Sequence, residues 1–105
     1  MTSQEPANPV VRRLVAAING GDRDAFLAAL TPGATLTDDG NPRTLTQWID
    51  REIFSAHGHL TIEHEDEHGL HLRARYRNDT WGEMTTFWHF QVTGDKISHI
   101  DTGQA

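Results

Sequence analysis

Five consecutive residues, His64-Glu65-Asp66-Glu67-His68, have the side chains best suited to metal chemistry in this chain. They fit the pattern H-E-x-x-H, in which two histidines one helical turn apart bind zinc and the glutamate acts as a general base. That chemistry needs a helix, because only a helix places both imidazoles on one face. In an extended strand the two histidines would lie ~13 Å apart, whereas zinc–nitrogen bonds measure ~2.0–2.1 Å.

The sequence around this motif favours a strand and a turn instead of a helix. Leu60, Ile62 and His64 alternate with polar residues, and Gly69 lies where a hairpin should turn. We therefore expect a solvated acidic hairpin, no metal site and no cofactor. The expectation covers all the clustered histidines, which are His57, His59, His64, His68 and His71.

Asp38 is the second candidate for chemistry. It follows the segment ATLT, which predicts a short strand, and it begins the turn-rich segment DDGNP. A carboxylate in an apolar pocket can act as a general base, and His64 would be its acid–base partner if it also pointed inward. Two alternatives remain open: Asp38 and Asp39 simply begin a turn, and His64 lies at a strand end beside water.

Composition limits the classes of function. A chain of 105 residues with 36% hydrophobic and 23% charged residues is typical of one globular domain and not of a membrane-spanning protein. The net charge of −6 argues against nucleic acid or an anionic membrane as a partner. The absence of cysteine excludes disulfides and thiol catalysis. Residues 1–10 lack a basic and apolar leader, so we expect a cytoplasmic protein.

The first half of the chain predicts three helices. Residues 1–8 are polar and expected to be flexible; Asn8 and Pro9 then begin a helix that Gly20-Gly21 ends. Asp22 caps a shorter second helix over residues 22–30. The third helix covers residues 44–54, where Thr44 and Gln47 have the spacing of a capping box.

From residue 59 onward the apolar period becomes two, which predicts four antiparallel strands in hairpin order. In the first three strands the even-numbered residues should face the core, including Tyr76 and Trp88. These two side chains could contact a ligand by stacking and one hydrogen bond each, or they could be plain core residues. Helices followed by an antiparallel sheet predict an α+β fold.

Two segments resemble the nuclear transport factor 2-like superfamily in its SnoaL-like branch. They are VRRLVAAINGGDRDAFLAALTPGATLTDDG and FWHFQVTGDKISHI, and the likeness covers residues 9–102. The resemblance implies that residues 9–105 form one domain, a cone-shaped α+β barrel with three N-terminal helices packed on a curved, mainly antiparallel sheet. The open end of the cone would be a pocket. Members of this superfamily include ketosteroid isomerases, polyketide cyclases, dehydratases and epoxide hydrolases.

The ketosteroid isomerases provide the closest catalytic template. By this resemblance their base falls at Asp38, whereas their two proton-donating acids fall at Leu14 and Trp88. The base is matched and both donors are missing, although the indole N–H of Trp88 could supply one hydrogen bond. The residues expected to contact a ligand are Leu14, Tyr76, Thr86, Trp88, Phe90 and Ile100.

The resemblance implies a protein that binds a small apolar or aromatic molecule in a conical pocket, with acid–base chemistry of isomerase or cyclase type by Asp38. The alternative is a non-catalytic dimeric module for ligand binding or interaction, so catalysis stays open.

Phe87 should point outward from a central strand, which predicts a homodimer through the outer sheet face. Trp81, in a turn, would cover the pocket mouth or lie in a dimer contact.

Overall fold

The first helix begins where its capping residues predict. In the computed structural model, which describes residues 6–105 apart from the side chain of Glu67, α1 spans Pro9–Asn19. Oδ1 of Asn8 accepts hydrogen bonds from the backbone N–H of Val10 at 2.9 Å and of Val11 at 3.3 Å. Residues 1–5, which belong to the segment predicted to be flexible, lie outside the described residues. Among residues 6–105, no helix is long and apolar enough to cross a membrane.

The third predicted helix is two kinds of helix joined end to end. After α2 (Arg23–Ala28), α3 spans Leu45–Ile49 and continues as a π-helical segment, Asp50–Phe54. The predicted capping box is wrong, because the side chain of Thr44 makes no capping hydrogen bond. Thr44 and Gln47 are both exposed, so water can satisfy the first amides of this helix instead.

Six strands form one curved sheet that does not close into a complete barrel. The strands are β1 (Leu30–Asp38), β2 (Asn41–Arg43), β3 (His59–Asp66), β4 (His71–Asn78), β5 (Gly82–Thr93) and β6 (Lys96–Gln104). Their order is β2-β1-β6-β5-β4-β3, and only the β1–β6 pairing is parallel. The predicted α+β class and mainly antiparallel sheet are confirmed.

Strand β2 was not predicted, because DDGNP was interpreted only as a turn. Asp39 and Gly40 both have positive φ, 51° and 81°, which suits a two-residue hairpin turn between β1 and β2. Pro42 is tolerated in β2 because this strand lies at the sheet edge. Asp38 is the last residue of β1 and directly precedes this hairpin turn.

The alternation of buried residues holds in β4 and β5 but fails in β3. Leu60 and Ile62 are buried as expected, whereas His64 is exposed. The register shifts between Ile62, which pairs with Ala74, and His64, which pairs with Arg73. The extra residue is a β-bulge, and one extra residue turns every later side chain to the opposite face. The expectation that His64 points inward is therefore wrong.

Candidate functional site

A cavity of about 370 Å³ opens at the end of the sheet where β1 stops and α3 begins. Its wall combines aromatic side chains with charged ones. All three tryptophans and the only tyrosine of the chain belong to this wall. The lining residues are Asp38, Asp39, Arg43, Trp48, Arg51, Glu52, Tyr76, Trp81, Met84, Thr86, Trp88, Thr102, Gly103 and Gln104.

Asp38 is oriented within this cavity by Trp48. The indole Nε1 of Trp48 donates a hydrogen bond to Oδ2 of Asp38 at 2.9 Å. Trp48 itself is buried on α3, and the Asp38 carboxylate is half-buried at the end of β1. Among residues 6–105, no side chain or backbone group donates to Oδ1 of Asp38. This second oxygen can therefore accept a hydrogen bond or a proton from a bound molecule.

Trp88 lies at the centre of the inner wall. Its ring is 6.2 Å from that of Trp48 and 6.0 Å from that of Tyr76, at interplanar angles of 71° and 58°. Its only N–H donates to Oγ1 of Thr86 at 2.9 Å, and this hydroxyl in turn donates to the carbonyl of Ala74 at 3.1 Å. The expectation that the Trp88 indole supplies a hydrogen bond to a ligand is wrong in this arrangement, since its partner is Thr86.

Glu52 is the functional candidate that sequence reasoning missed. Its backbone carbonyl accepts hydrogen bonds from Oη of Tyr76 at 2.5 Å and from Nδ2 of Asn78 at 2.9 Å. Its carboxylate accepts a third, from Nε1 of Trp81 at 2.9 Å. The π-helical segment places Glu52 here, and π-helical turns are frequent at functional sites. Burial raises the pKa of Tyr76 to about 12, so its hydroxyl remains a donor at neutral pH.

The rim of the cavity is charged and close to water. Arg43 and Asp39 are exposed, and the Arg51 side chain is 65% exposed with its Nε 3.4 Å from Oε1 of Glu52. Oδ1 of Asp39 accepts a hydrogen bond from the backbone N–H of Gln104 at 3.0 Å. Asp39 thus holds the end of β6, whereas among residues 6–105 no group donates to Oδ1 of Asp38.

Some predicted ligand-contact residues lie below the cavity, in the core. Tyr76, Thr86 and Trp88 line the wall, whereas Leu14, Phe90 and Ile100 are buried and do not. Trp88 pairs with Thr102 across β5 and β6, and the next inward pair is Phe90 with Ile100. The alternation along a strand predicts which face a residue occupies but not its depth. The Trp88–Thr102 pair marks the floor of the cavity.

His64 lies on the outer face of the sheet, beside Arg73, Phe87 and His89. Because Asp38 lines the cavity and His64 does not, the expected acid–base pair of these two residues is not formed. The interpretation of His64 as a histidine beside water fits its exposure better. The bulge in β3 is the physical reason for the difference.

The HEDEH motif contains no α-helix. Residues 64–66 end β3, and Glu67–Gly69 form a 3₁₀ turn in which His68 has a φ of 59°. Within the described part of the chain, no group of three or more His, Cys, Asp or Glu side chains has a geometry that could hold a metal ion. The strand-and-turn setting predicted for the motif is confirmed, and the absence of zinc stays a prediction.

Comparison with known proteins shows the fold. No family model matches the chain, and no curated protein matches it. An NTF2-like protein of unknown function from Cytophaga hutchinsonii has a TM-score of 0.74 at 12% identity, over 100% of this chain and 95% of that one. A protein from Catenulispora acidiphila with a ketosteroid isomerase-like fold was solved in complex with trimethylamine. Its TM-score is 0.73 at 19% identity, over 94% of this chain and 85% of that one. A computationally designed 17-OHP binder has a TM-score of 0.74 at 15% identity, over 95% of this chain and 91% of that one.

These likenesses extend over almost the whole of each chain, and at such low identity they concern the fold alone. The chain has the NTF2-like fold, as the resemblance of its two segments predicted. Fold does not determine chemistry, which depends on the side chains in the cavity.

Proposed function

We propose that the protein binds a small molecule with an apolar or aromatic body in this cavity, and that Asp38 supplies acid–base chemistry of isomerase or cyclase type. The observation that carries the proposal is the Asp38 carboxylate, which is held by Trp48 and lines the same cavity as the three tryptophans and Tyr76. Ligand sites are typically concave and largely apolar, with a few polar groups that fix orientation. A cavity of about 370 Å³ is of the size that small ligands occupy.

Two of the structural neighbours support the choice of a small molecule. The Catenulispora acidiphila protein is in complex with trimethylamine, and the designed protein is a 17-OHP binder. The same arrangement of helices and sheet therefore admits small molecules in other sequences. For this chain, the open cavity and its aromatic wall are the corresponding features.

In the proposed chemistry, Oδ1 of Asp38 removes a proton from a ligand carbon next to a carbonyl group. The electron pair of that C–H bond moves into the new carbon–carbon double bond, and charge develops on the carbonyl oxygen. Asp38 then returns the proton to another carbon of the same ligand. The developing charge is poorly stabilised, because the hydrogen-bond donors of Trp88 and Tyr76 already have partners within the protein. The expected rate is correspondingly low.

Binding can be measured by NMR on the three indole N–H signals, since every tryptophan lines the cavity. We expect the neutral probes 2-naphthol and 1-tetralone to shift these signals in a saturable way. Met84→Ala should weaken binding severalfold, whereas Leu27→Ala should not. Both side chains are half-buried, but only Met84 lines the cavity. If neither probe shifts an indole signal up to its solubility limit, the proposal fails.

The expected homodimer through the outer sheet face is also proposed. Phe87 lies on that face of β5, which has strands on both sides, and it remains half-exposed against His89 at a ring distance of 5.0 Å. Covering Phe87 with a second copy of the chain would remove apolar surface from water. Phe87→Glu should give a monomer by light scattering, and Ala28→Glu on the exposed side of α2 should not. A wild type that is monomeric at high micromolar concentration would contradict the dimer.

A further inference from the structure

We propose that Trp81 is the main ligand-contact residue of the cavity and that it selects a flat aromatic ligand, which stacks on the face of its indole ring. This inference rests on the proposed small-molecule function and specifies the shape of the ligand. Trp81 determines specificity and takes no part in the acid–base step assigned to Asp38.

The aromatic rings of the cavity differ in how much of their surface a ligand can reach. Trp48, Tyr76 and Trp88 are 6%, 5% and 1% exposed, and the first two pack on Trp88 at centroid distances of 6.2 Å and 6.0 Å. Trp81 is 63% exposed and lines the same cavity. Within residues 6–105, no other aromatic ring packs on the indole of Trp81. Trp81 is therefore the ring of the cavity whose surface is open to a ligand.

Two hydrogen bonds hold this exposed residue in place. Nε1 of Trp81 donates to Oε2 of Glu52 at 2.9 Å, and the backbone N–H of Trp81 donates to Oδ1 of Asn78 at 2.7 Å. Asn78 is 3% exposed, and its Nδ2 donates to the backbone carbonyl of Glu52 at 2.9 Å. The backbone and the ring of Trp81 are thus tied to two residues that are also bonded to each other. A ring that is oriented before binding loses less conformational freedom when a ligand stacks on it.

The loop that carries Trp81 has a defined conformation. Residues 79–81 join β4 to β5, and the two strands end at the pair of Asn78 with Gly82. Gly82 has a φ of 73°, and three-residue hairpin loops commonly end in a residue of this left-handed conformation. The backbone N–H of Asp79 donates to the carbonyl of Ala56 at 2.8 Å, which ties the loop to the chain that follows the π-helical segment. The fold therefore fixes the position of the indole ring.

The surroundings of Trp81 suit a small molecule better than a protein partner. Among the described residues, Trp81 is the only large hydrophobic side chain that is exposed, and it borders a cavity of about 370 Å³. The core of a protein interface is depleted of charge and is formed by a broader apolar patch. The other exposed residues that line the cavity are all charged or polar: Asp39, Arg43, Arg51 and Gln104.

A flat aromatic ligand makes the most of this site. Aromatic rings attract each other in offset-stacked arrangements, beyond the gain from removing apolar surface from water. A puckered saturated ring of the same size touches fewer atoms of the indole face. Met84, which is half-buried, also lines the cavity, and a thioether makes favourable contacts with aromatic rings. The accessible apolar surface of the cavity therefore favours an aromatic ligand over a saturated one of equal size.

The test compares 2-naphthol with trans-2-decalol, which has the same two-ring skeleton and hydroxyl group but is saturated. Dissociation constants are measured on the full chain from the indole N–H signals of Trp48 and Trp88. We expect 2-naphthol to bind about tenfold more tightly than the decalol. Trp81→Ala should remove this preference by weakening the binding of 2-naphthol about tenfold and that of the decalol much less. Thr80→Ala, at the neighbouring exposed position of the loop, is the control and should leave both affinities unchanged.

Two further measurements locate the ligand on the indole ring. The ring current of a stacked naphthol should move the carbon-bound ring protons of Trp81 upfield by more than those of Trp48 or Trp88. Trp81→Phe should keep part of the preference for 2-naphthol, because a phenyl ring can still stack. A larger shift at Trp48 or Trp88 than at Trp81 would contradict the proposal.

The outcomes separate this inference from the proposed function. If the two probes bind equally well to the wild type, selection of a flat ligand is wrong while small-molecule binding stands. If the preference survives in Trp81→Ala, the assignment to Trp81 is wrong. If Trp81→Ala leaves both affinities unchanged and converts a dimer to a monomer, Trp81 belongs to an interface and the inference is wrong. If neither probe binds and 1-tetralone does not bind either, the proposed function itself fails.

Discussion

The phenolic Oη of Tyr76 lies 2.5 Å from the backbone carbonyl oxygen of Glu52 and donates a hydrogen bond to it. The same carbonyl accepts from Nδ2 of Asn78, which lies two residues farther along β4. Two neighbouring side chains of the sheet therefore hold one point of the π-helical segment. Because the Glu52 carboxylate lies at the cavity, these two bonds also fix part of its wall.

Tyr76→Phe should keep the ring packing and remove one of these two bonds. Since Asn78 still satisfies the carbonyl, we expect the free energy of unfolding to fall by only about 1 kcal/mol. Urea denaturation measures this change, and the indole signal of Trp81 should move because its acceptor is Glu52. Thr80→Ala, an exposed position beyond β4, is the control. An unchanged free energy together with an unchanged Trp81 signal would contradict the role of this bond.

The sequence predicted the helices and five of the six strands, the four later strands because their apolar residues alternate over a long and regular stretch. The sequence could not predict that Phe90 lies deeper than Trp88, because both residues lie on the same face of β5 and differ only in their position along the strand. The π-helical segment was missed because one π turn leaves buried residues such as Ile49 and Ile53 at a spacing that an α-helix also allows. The bulge after Ile62 involves one residue, and it reversed the predicted orientation of His64.

The outer sheet face contains a stacked pair of histidines. The rings of His71 and His89 stack at 4.1 Å across β4 and β5. Burial, and next the neighbouring His71, lower the pKa of His89, against which Asp101 and Asp66 act to raise it. A histidine whose pKa is lowered by folding takes up its proton more readily in the unfolded chain. Stability is therefore lost as pH falls below the ordinary histidine value of about 6.5 toward the lower pKa of the folded state.

We expect the free energy of unfolding to decrease between about pH 8 and about pH 5, with part of the decrease due to His89. His89→Gln should reduce this pH dependence, as measured by urea denaturation at a series of pH values. His59→Gln, at an exposed position of β3, is the control. Equal pH dependence in the wild type and in His89→Gln would contradict the assignment.

The HEDEH motif should not bind zinc. His64 belongs to β3 and His68 to the following turn, so the two imidazoles do not share a helical face. We expect elemental analysis of untagged, unchelated protein to find well below one zinc per chain. One zinc per chain that is lost in His64→Ala would overturn the prediction. Zinc retained in that variant would indicate different ligands.

The last prediction concerns the isomerisation that gives the ketosteroid isomerases their name. Removal of a proton next to a ketone needs a base and donors for the charge that develops on oxygen. We propose Asp38 as the base, but by the resemblance of the sequence the two donor positions of the ketosteroid isomerases fall at Leu14 and Trp88. Leu14 is buried and apolar, and the N–H of Trp88 donates to Thr86. Loss of such a donor typically costs ~10²–10³ in rate.

We therefore expect a 3-keto-Δ5 steroid to be isomerised far more slowly than by an evolved isomerase, even if it binds, as followed by ultraviolet absorbance of the conjugated product. Any activity that does occur should be lost in Asp38→Asn if this carboxylate is the base. Rapid isomerisation abolished by Asp38→Asn would defeat the prediction and require another donor. Tyr76 would be that donor, because its hydroxyl is kept protonated by burial and needs only to exchange the Glu52 carbonyl for the substrate oxygen. Tyr76→Phe would then abolish activity as well, whereas under our prediction it leaves any activity unchanged.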